Sequence, residues 1–240
     1  MTGIVPGIVL LMILCAGYSA NAQYGIGAGI AALGENINKA GGELDDLLHK
    51  DGDDLAYEDL SGEVGVYGKV GYKHGLGGFR LAADAAYIYV QKSRVELTQL
   101  DVSEDTTVSA TFEVGTSLIP ISLGLEYALP TSSFRPYVGA YPSYTFVNRT
   151  FTYVEGEEIK DVENKSAGEN EFGMGFEAGA EFSLFNTVSL AVSARYTVLN
   201  MFSAEDGEDS HGALLVGASL WIGDIIGGDD DDSGDDDDDE

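Results

Sequence analysis

Apolar and polar positions alternate with period two over most of the chain, beginning at residue 24. Tyr24, Ile26, Ala28, Ile30 and Ala32 share one face, and Gly25, Gly27, Gly29 and Ala31 occupy the other. Such alternation marks a strand whose two faces meet different environments. Comparable stretches recur near 61–73, 78–91, 107–129, 135–153, 170–184, 187–202 and 211–223, which makes eight strands. The connections at 34–60, 92–106 and 154–169 are long, 203–210 is intermediate, and 74–77, 130–134 and 185–186 are short. Long and short connections in turn are the pattern of an up-and-down barrel, with tight turns at one rim and larger loops at the other. Eleven residues at about 3.3 Å each, tilted about 40°, rise about 27 Å, close to the apolar band of roughly 25 Å on a membrane-spanning barrel. The chain is therefore expected to be all-β, an eight-stranded antiparallel up-and-down transmembrane β-barrel over residues 23–223.

Charge placement tests this expectation. Apolar side chains alone set the outward face: Val64, Val66, Val70 and Tyr72 on strand two, Phe79 through Tyr89 at odd positions on strand three, and Phe172 through Leu184 at even positions on strand six. Strand seven adds Val188, Leu190, Val192, Tyr196 and Val198. Glu63, Lys69, Arg80, Asp84, Glu171, Glu177, Glu181 and Arg195 then all fall on the opposite face. On strand four Phe112, Val114 and Leu118 set one parity, and Ile121, Leu123, Leu125 and Tyr127 the other. A bulge is expected around Ile119-Pro120, turning Glu113 and Glu126 inward. On strand five Val138, Ala140, Tyr144 and Phe146 point out and Arg149 points in. A lipid-facing Arg or Lys near the bilayer midplane costs about 2–4 kcal/mol, so a bilayer enforces this sorting. A soluble barrel would invert it, with an apolar interior and a charged exterior. The inward residues are expected to form a lumen ionic network of seven acids and four bases, preferring cations if water enters. Inward glycines such as Gly71, Gly139 and Gly179 are expected to leave room for the long charged side chains.

Composition narrows the function. With 12 Lys+Arg against 41 Asp+Glu, the net charge of -29 removes the basic footprint that nucleic acid requires. Residues 4–17 are apolar and precede Ala20-Asn21-Ala22, so residues 1–22 read as a signal peptide cleaved after Ala22. Cys15 falls within it, and the mature chain would carry no disulfide. No later run is long and apolar enough for a transmembrane helix. Loop 34–60 holds nine acids, and Glu43 to His49 could form a short amphipathic helix or stay solvated. Residues 224–240 are expected to be a disordered acidic tail. Asp229, Asp230, Asp231 and Asp232 could recruit Ca²⁺ weakly, but no EF-hand spacing supports a structured site. His211 beside Asp209 and Ser210 is the only local cluster with the residue types of acid–base catalysis, and adjacency makes no triad. No catalysis and no cofactor are expected.

Ile119-Pro-Ile-Ser-Leu-Gly-Leu-Glu-Tyr-Ala-Leu-Pro130, followed by Phe134-Arg-Pro-Tyr-Val-Gly-Ala140, resembles the central strand-turn-strand of the bacterial outer-membrane β-barrel domain superfamily. That group includes the membrane domain of outer-membrane protein A and its eight-stranded relatives. Pro120 and Pro142 depart from the strand formers usual there. The resemblance implies a monomeric integral protein of a Gram-negative-type outer membrane, with long loops extracellular and both termini periplasmic. Its partners would be outer-membrane lipid, lipopolysaccharide, the barrel-assembly machinery and divalent cations. A structural or surface-interaction role through acidic loops is expected, with a narrow cation-preferring pore or small-molecule carrier as the alternative and a rim enzyme more remote.

Overall fold

The computed structural model describes residues 22–34, 55–57, 64–76, 78–101, 106–129, 133–156, 165–185, 187–202 and 212–223. The strands are β1 (Ala22–Leu33), β2 (Leu55–Tyr57), β3 (Val64–Leu76), β4 (Phe79–Val90), β5 (Ser93–Asp101), β6 (Thr106–Ala128), β7 (Phe134–Gly156), β8 (Lys165–Phe185), β9 (Val188–Val198) and β10 (Gly212–Gly223). Eight of them form the wall in the order β6-β4-β3-β1-β10-β9-β8-β7, and pairing of β6 with β7 closes it. Every neighbouring pair in the wall is antiparallel. Closure satisfies the backbone without leaving an edge in lipid.

β6 and β7 are each 23 residues long, about twice the 11 of β9. Their outer halves therefore rise past the apolar band on the long-connection side. There β5 pairs with β6 from Ser93↔Val114 to Asp101↔Thr106, and β2 pairs with β5. The segment 92–106, expected as a loop, is thus mostly strand, and β7 and β8 likewise extend into 154–169. The signal segment before Ala22, the Glu43–His49 stretch, Glu63, His49, Asp209 to His211 and the acidic tail lie outside the described residues.

The expected bulge at Ile119-Pro120 is absent. The β6–β7 register runs unshifted from Phe112↔Tyr153 to Ala128↔Tyr137, and its one shift falls between Thr111 and Phe112. Pro120 instead leaves a gap in the pairing with β4 between Ala85↔Ile121 and Ile88↔Leu118, since proline has no N–H to donate. Pro142 leaves a similar gap on the β7 side, between Ser122↔Ser143 and Leu125↔Ala140. Without a bulge, Val114 and Leu118 keep the parity of Glu126 and point inward, 2% and 1% exposed. Glu113 falls on the outer parity, above the end of β4. It accepts a 2.5 Å hydrogen bond from Lys92, which raises the Lys92 pKa from its ordinary value.

Outside the wall, Ile26, Val66, Leu81, Leu123, Val138, Phe176, Val192 and Val216 form an apolar surface. At the short-turn rim, directly paired aromatics stack: Tyr24 with Tyr72 at 5.5 Å, Phe79 with Tyr127 at 5.2 Å, and Phe134 with Phe182 at 5.2 Å between ring centroids. These rings make the interfacial girdle of a membrane barrel.

The lumen as candidate functional site

Strand parity turns Arg80 and Asp84 of β4, Lys69 and Lys73 of β3, Glu126 of β6, Glu177 and Glu181 of β8 and Arg195 of β9 into the lumen, where they form two tiers. In the lower tier, nearer the short turns, Arg80 Nη1 lies 2.6 Å from Glu181 Oε2, and Arg80 Nη2 lies 2.8 Å from Glu126 Oε2. Lys73 Nζ sits 3.2 Å from Glu126 Oε1 and 3.9 Å from Glu181 Oε2. The same ammonium lies over the rings of Trp221 at 4.3 Å and Tyr137 at 4.5 Å, so two aromatic faces share its charge. Ser189 donates to Glu181 at 2.9 Å, and Tyr141 donates to Glu126.

Arg195 organises the upper tier. Its guanidinium reaches across to β4, diametrically opposite in the wall, and holds Asp84 through both oxygens at 2.6 and 3.0 Å. Its Nε donates to Glu177 at 2.6 Å, and its plane covers the Tyr141 ring at 3.8 Å. Lys69 is 4.0 Å from Glu177, which also accepts from Tyr137 at 2.9 Å. Both tiers thus brace strands that make no backbone contact with each other. Buried pairs of this kind supply little net stability, but removing one partner strands the other charge.

Above these tiers the lumen turns apolar. Ala31, Leu33, Tyr67, Ile88, Val90, Leu118, Val147, Leu199, Ala213 and Leu215 form one buried cluster. Ile88, Leu118 and Val147 are register partners across β4, β6 and β7, so their side chains lie side by side. Between this layer and Arg195 is a small cavity lined by Lys69, Asp84, Glu177, Arg195, Ser122 and Leu199 among others, large enough for a water molecule. Beyond the layer, Thr116 and Arg149 are again buried and polar, and the buried Glu171 of β8, register partner of Thr145, stands beside the layer itself.

Of the expected network residues, Lys69, Arg80, Asp84, Glu126, Glu177, Glu181 and Arg195 come together in the two tiers. Arg149 lies buried on the far side of the apolar layer, Glu171 is buried at its β8 edge, and Glu113 is outside. Lys73 and Arg135 were not expected inside. They share parity with Lys69 and with Arg149, but each stands at the end of its strand, where a charge reads as rim. With them the described lumen holds six bases (Lys69, Lys73, Arg80, Arg135, Arg149, Arg195) and five acids (Asp84, Glu126, Glu171, Glu177, Glu181). The expected negative lumen and its cation preference are therefore corrected to near neutrality.

The inward glycines accommodate rings more than charges. A Cβ on Gly71 would lie 2.8 Å from the Trp221 ring, one on Gly139 2.9 Å from the Tyr141 ring, and one on Gly179 2.6 Å from Tyr137. Each lumen aromatic lies flat against the wall because the strand beneath it has no side chain there. The candidate Ca²⁺ residues Asp229 to Asp232 are outside the described part. Among the described residues no group of three or more His, Cys, Asp or Glu could hold a metal ion.

Known proteins share this architecture. Neisserial surface protein A superposes with a TM-score of 0.52 at 14% identity, covering 85% of this chain and 97% of that one. The attachment invasion locus protein Ail of Yersinia pestis gives 0.46 at 10% identity, with 85% and 100% covered. OprG of Pseudomonas aeruginosa gives 0.39 at 13%, with 87% and 99% covered. No curated protein matches the chain. The outer membrane protein beta-barrel domain model matches residues 7–220. With nearly the whole chain matched and the barrel closed as described, the protein belongs to the outer membrane protein beta-barrel family and is an integral protein of the Gram-negative outer membrane.

Proposed function

We propose that this barrel is non-enzymatic and non-conducting, and that it acts at the cell surface by holding acidic loops out to a cationic partner. The filled lumen is the observation that carries the proposal. A pore needs a continuous polar path, and here two ion-paired tiers are followed by a buried apolar layer. The narrow-pore alternative thus has no path among the described residues to support it.

What remains for function is the long-connection side, where β6 and β7 project and where most of the loop acid lies. Segment 34–60 carries nine acids, 154–169 six and 203–210 four. In barrels of this architecture the short turns face the periplasm and the longer loops face outward, which puts both termini of the barrel on the periplasmic side. An acidic surface there suits basic protein segments, or divalent ions that bridge it to lipopolysaccharide phosphate.

The test uses the protein in lipid nanodiscs with polylysine and Ca²⁺ as probes. With the acids of 224–240 exchanged in both proteins, exchanging those of 34–60, 154–169 and 203–210 for Asn or Gln should remove most polylysine binding and its salt dependence, while the parent shows no steady conductance in planar bilayers. Unchanged binding by that variant would refute the surface role. Steady ionic current through the parent would refute the sealed lumen.

A further inference from the structure

The ionic tiers and the apolar layer stand in series along the lumen, and they are not equivalent obstacles. Salt bridges such as Lys69–Glu177, already 4.0 Å apart, line a cavity that admits water, and their charged groups can solvate an ion as they exchange partners. The aliphatic side chains of the layer offer neither donor nor acceptor, so an ion entering it would lose its hydration without replacement. We propose that the apolar layer of Ile88, Val90, Leu118, Val147, Leu199 and Leu215 is the barrier that seals the lumen to water and ions, and that the salt bridges brace the wall without sealing it. This rests on the sealed-lumen part of the proposed function.

Three features support the assignment. The layer draws on β1, β3 (through Tyr67), β4, β6, β7 and β10 and on Leu199 just after β9, so among the wall strands only β8, which presents Glu171 beside it, adds no apolar member. Its members are almost completely buried. Polar groups bound it on both sides, Ser122 and Arg195 below and Thr116 and Arg149 above, and the buried Thr145 and Glu171 border it on the β7–β8 side.

The experiment compares planar-bilayer currents and thiol accessibility for three proteins, each first checked for the heat-dependent gel shift of a folded barrel. In the parent, no current is expected, and a Ser122→Cys thiol should resist a small charged thiosulfonate reagent added from the long-loop side. Combining Arg195→Gln, Asp84→Asn and Glu177→Gln should leave both results unchanged. Combining Leu118→Ser with Leu199→Ser should produce stepwise current and speed the labelling of Ser122→Cys by about tenfold or more. Should that double variant fail to fold, Ile88→Thr, nearer in shape, is read by the same labelling. Current through the charge-neutralised protein, or a folded Ser variant that neither conducts nor labels faster, would overturn the proposal and leave the sealed lumen standing. Current through the parent would instead remove the sealed-lumen reading on which it rests.

Discussion

Arg195 is the residue on which the upper tier depends, because Asp84 and Glu177 both answer to it from other strands. Arg195→Ala would leave two buried carboxylates without their counter-charge and should destabilise the barrel by about 3–5 kcal/mol, seen as a lower urea midpoint in lipid. Arg195→Lys keeps the charge but loses the two-pronged hold on Asp84 and the stacking on Tyr141, so it should fall between alanine and the parent. Space matters as much as charge. Gly124→Ala would push a Cβ into the Tyr141 ring and to 2.7 Å from the Ala140 carbonyl, at a cost of about 1–3 kcal/mol in the same assay. Gly68→Ala, with its nearest neighbour 4.0 Å away, should change stability by less than about 0.5 kcal/mol. Most of the ionic partners were legible in the sequence because period two separates lipid-facing from lumen-facing side chains without ambiguity at Arg80, Asp84, Glu177, Glu181 and Arg195. Which acid meets which base was not, since that depends on the barrel's stagger and on side-chain reach.

Elements show where the parity argument misled. Assigning every apolar side chain to lipid required a parity change in β6, and hence a bulge beside Pro120. The structure keeps one register through Pro120 and turns Val114 and Leu118 inward, because the upper lumen is itself apolar. Nothing in one strand reveals this. Ile88, Val147 and Leu199 carry the same message only when the eight strands are assembled. The strands themselves were legible to within a few residues inside the band. Beyond it, β5 was missed because it pairs above the membrane, where no bilayer sorts its faces. Two outcomes follow at this scale. Leu123→Arg, on the lipid face at mid-wall, should cost about 2–4 kcal/mol of folding stability in lipid vesicles. The Phe134–Phe182 pair at the rim should show a coupling of about 0.5–1.5 kcal/mol in a double-mutant cycle with alanine.

At the scale of the whole molecule, a chain with net charge -29 gives six of its 12 bases to the lumen. Most of the acid that dominates the composition falls in the segments between the strands and in residues 224–240, and the described lumen is close to neutral. The interior is crossed by braces and then by an apolar layer, and in the proposed function the surface that engages a partner lies at the long-connection end. Trp221 reports on all of this at once. It is the only tryptophan in the chain, it points into the lumen between Gly25 and Gly71, and it covers the Lys73 ammonium. The most direct test is its fluorescence in sealed vesicles, quenched in turn by iodide added only on the long-connection side and by brominated lipid from the membrane. The reference is Trp221→Phe with Leu220→Trp, which moves the indole one residue onto the lipid face. A sealed lumen predicts weak quenching of Trp221 by both agents and strong quenching of the reference by brominated lipid. Quenching of Trp221 by lipid as strong as in the reference would mean that the faces are reversed, and strong quenching by iodide would mean that the lumen is open to water.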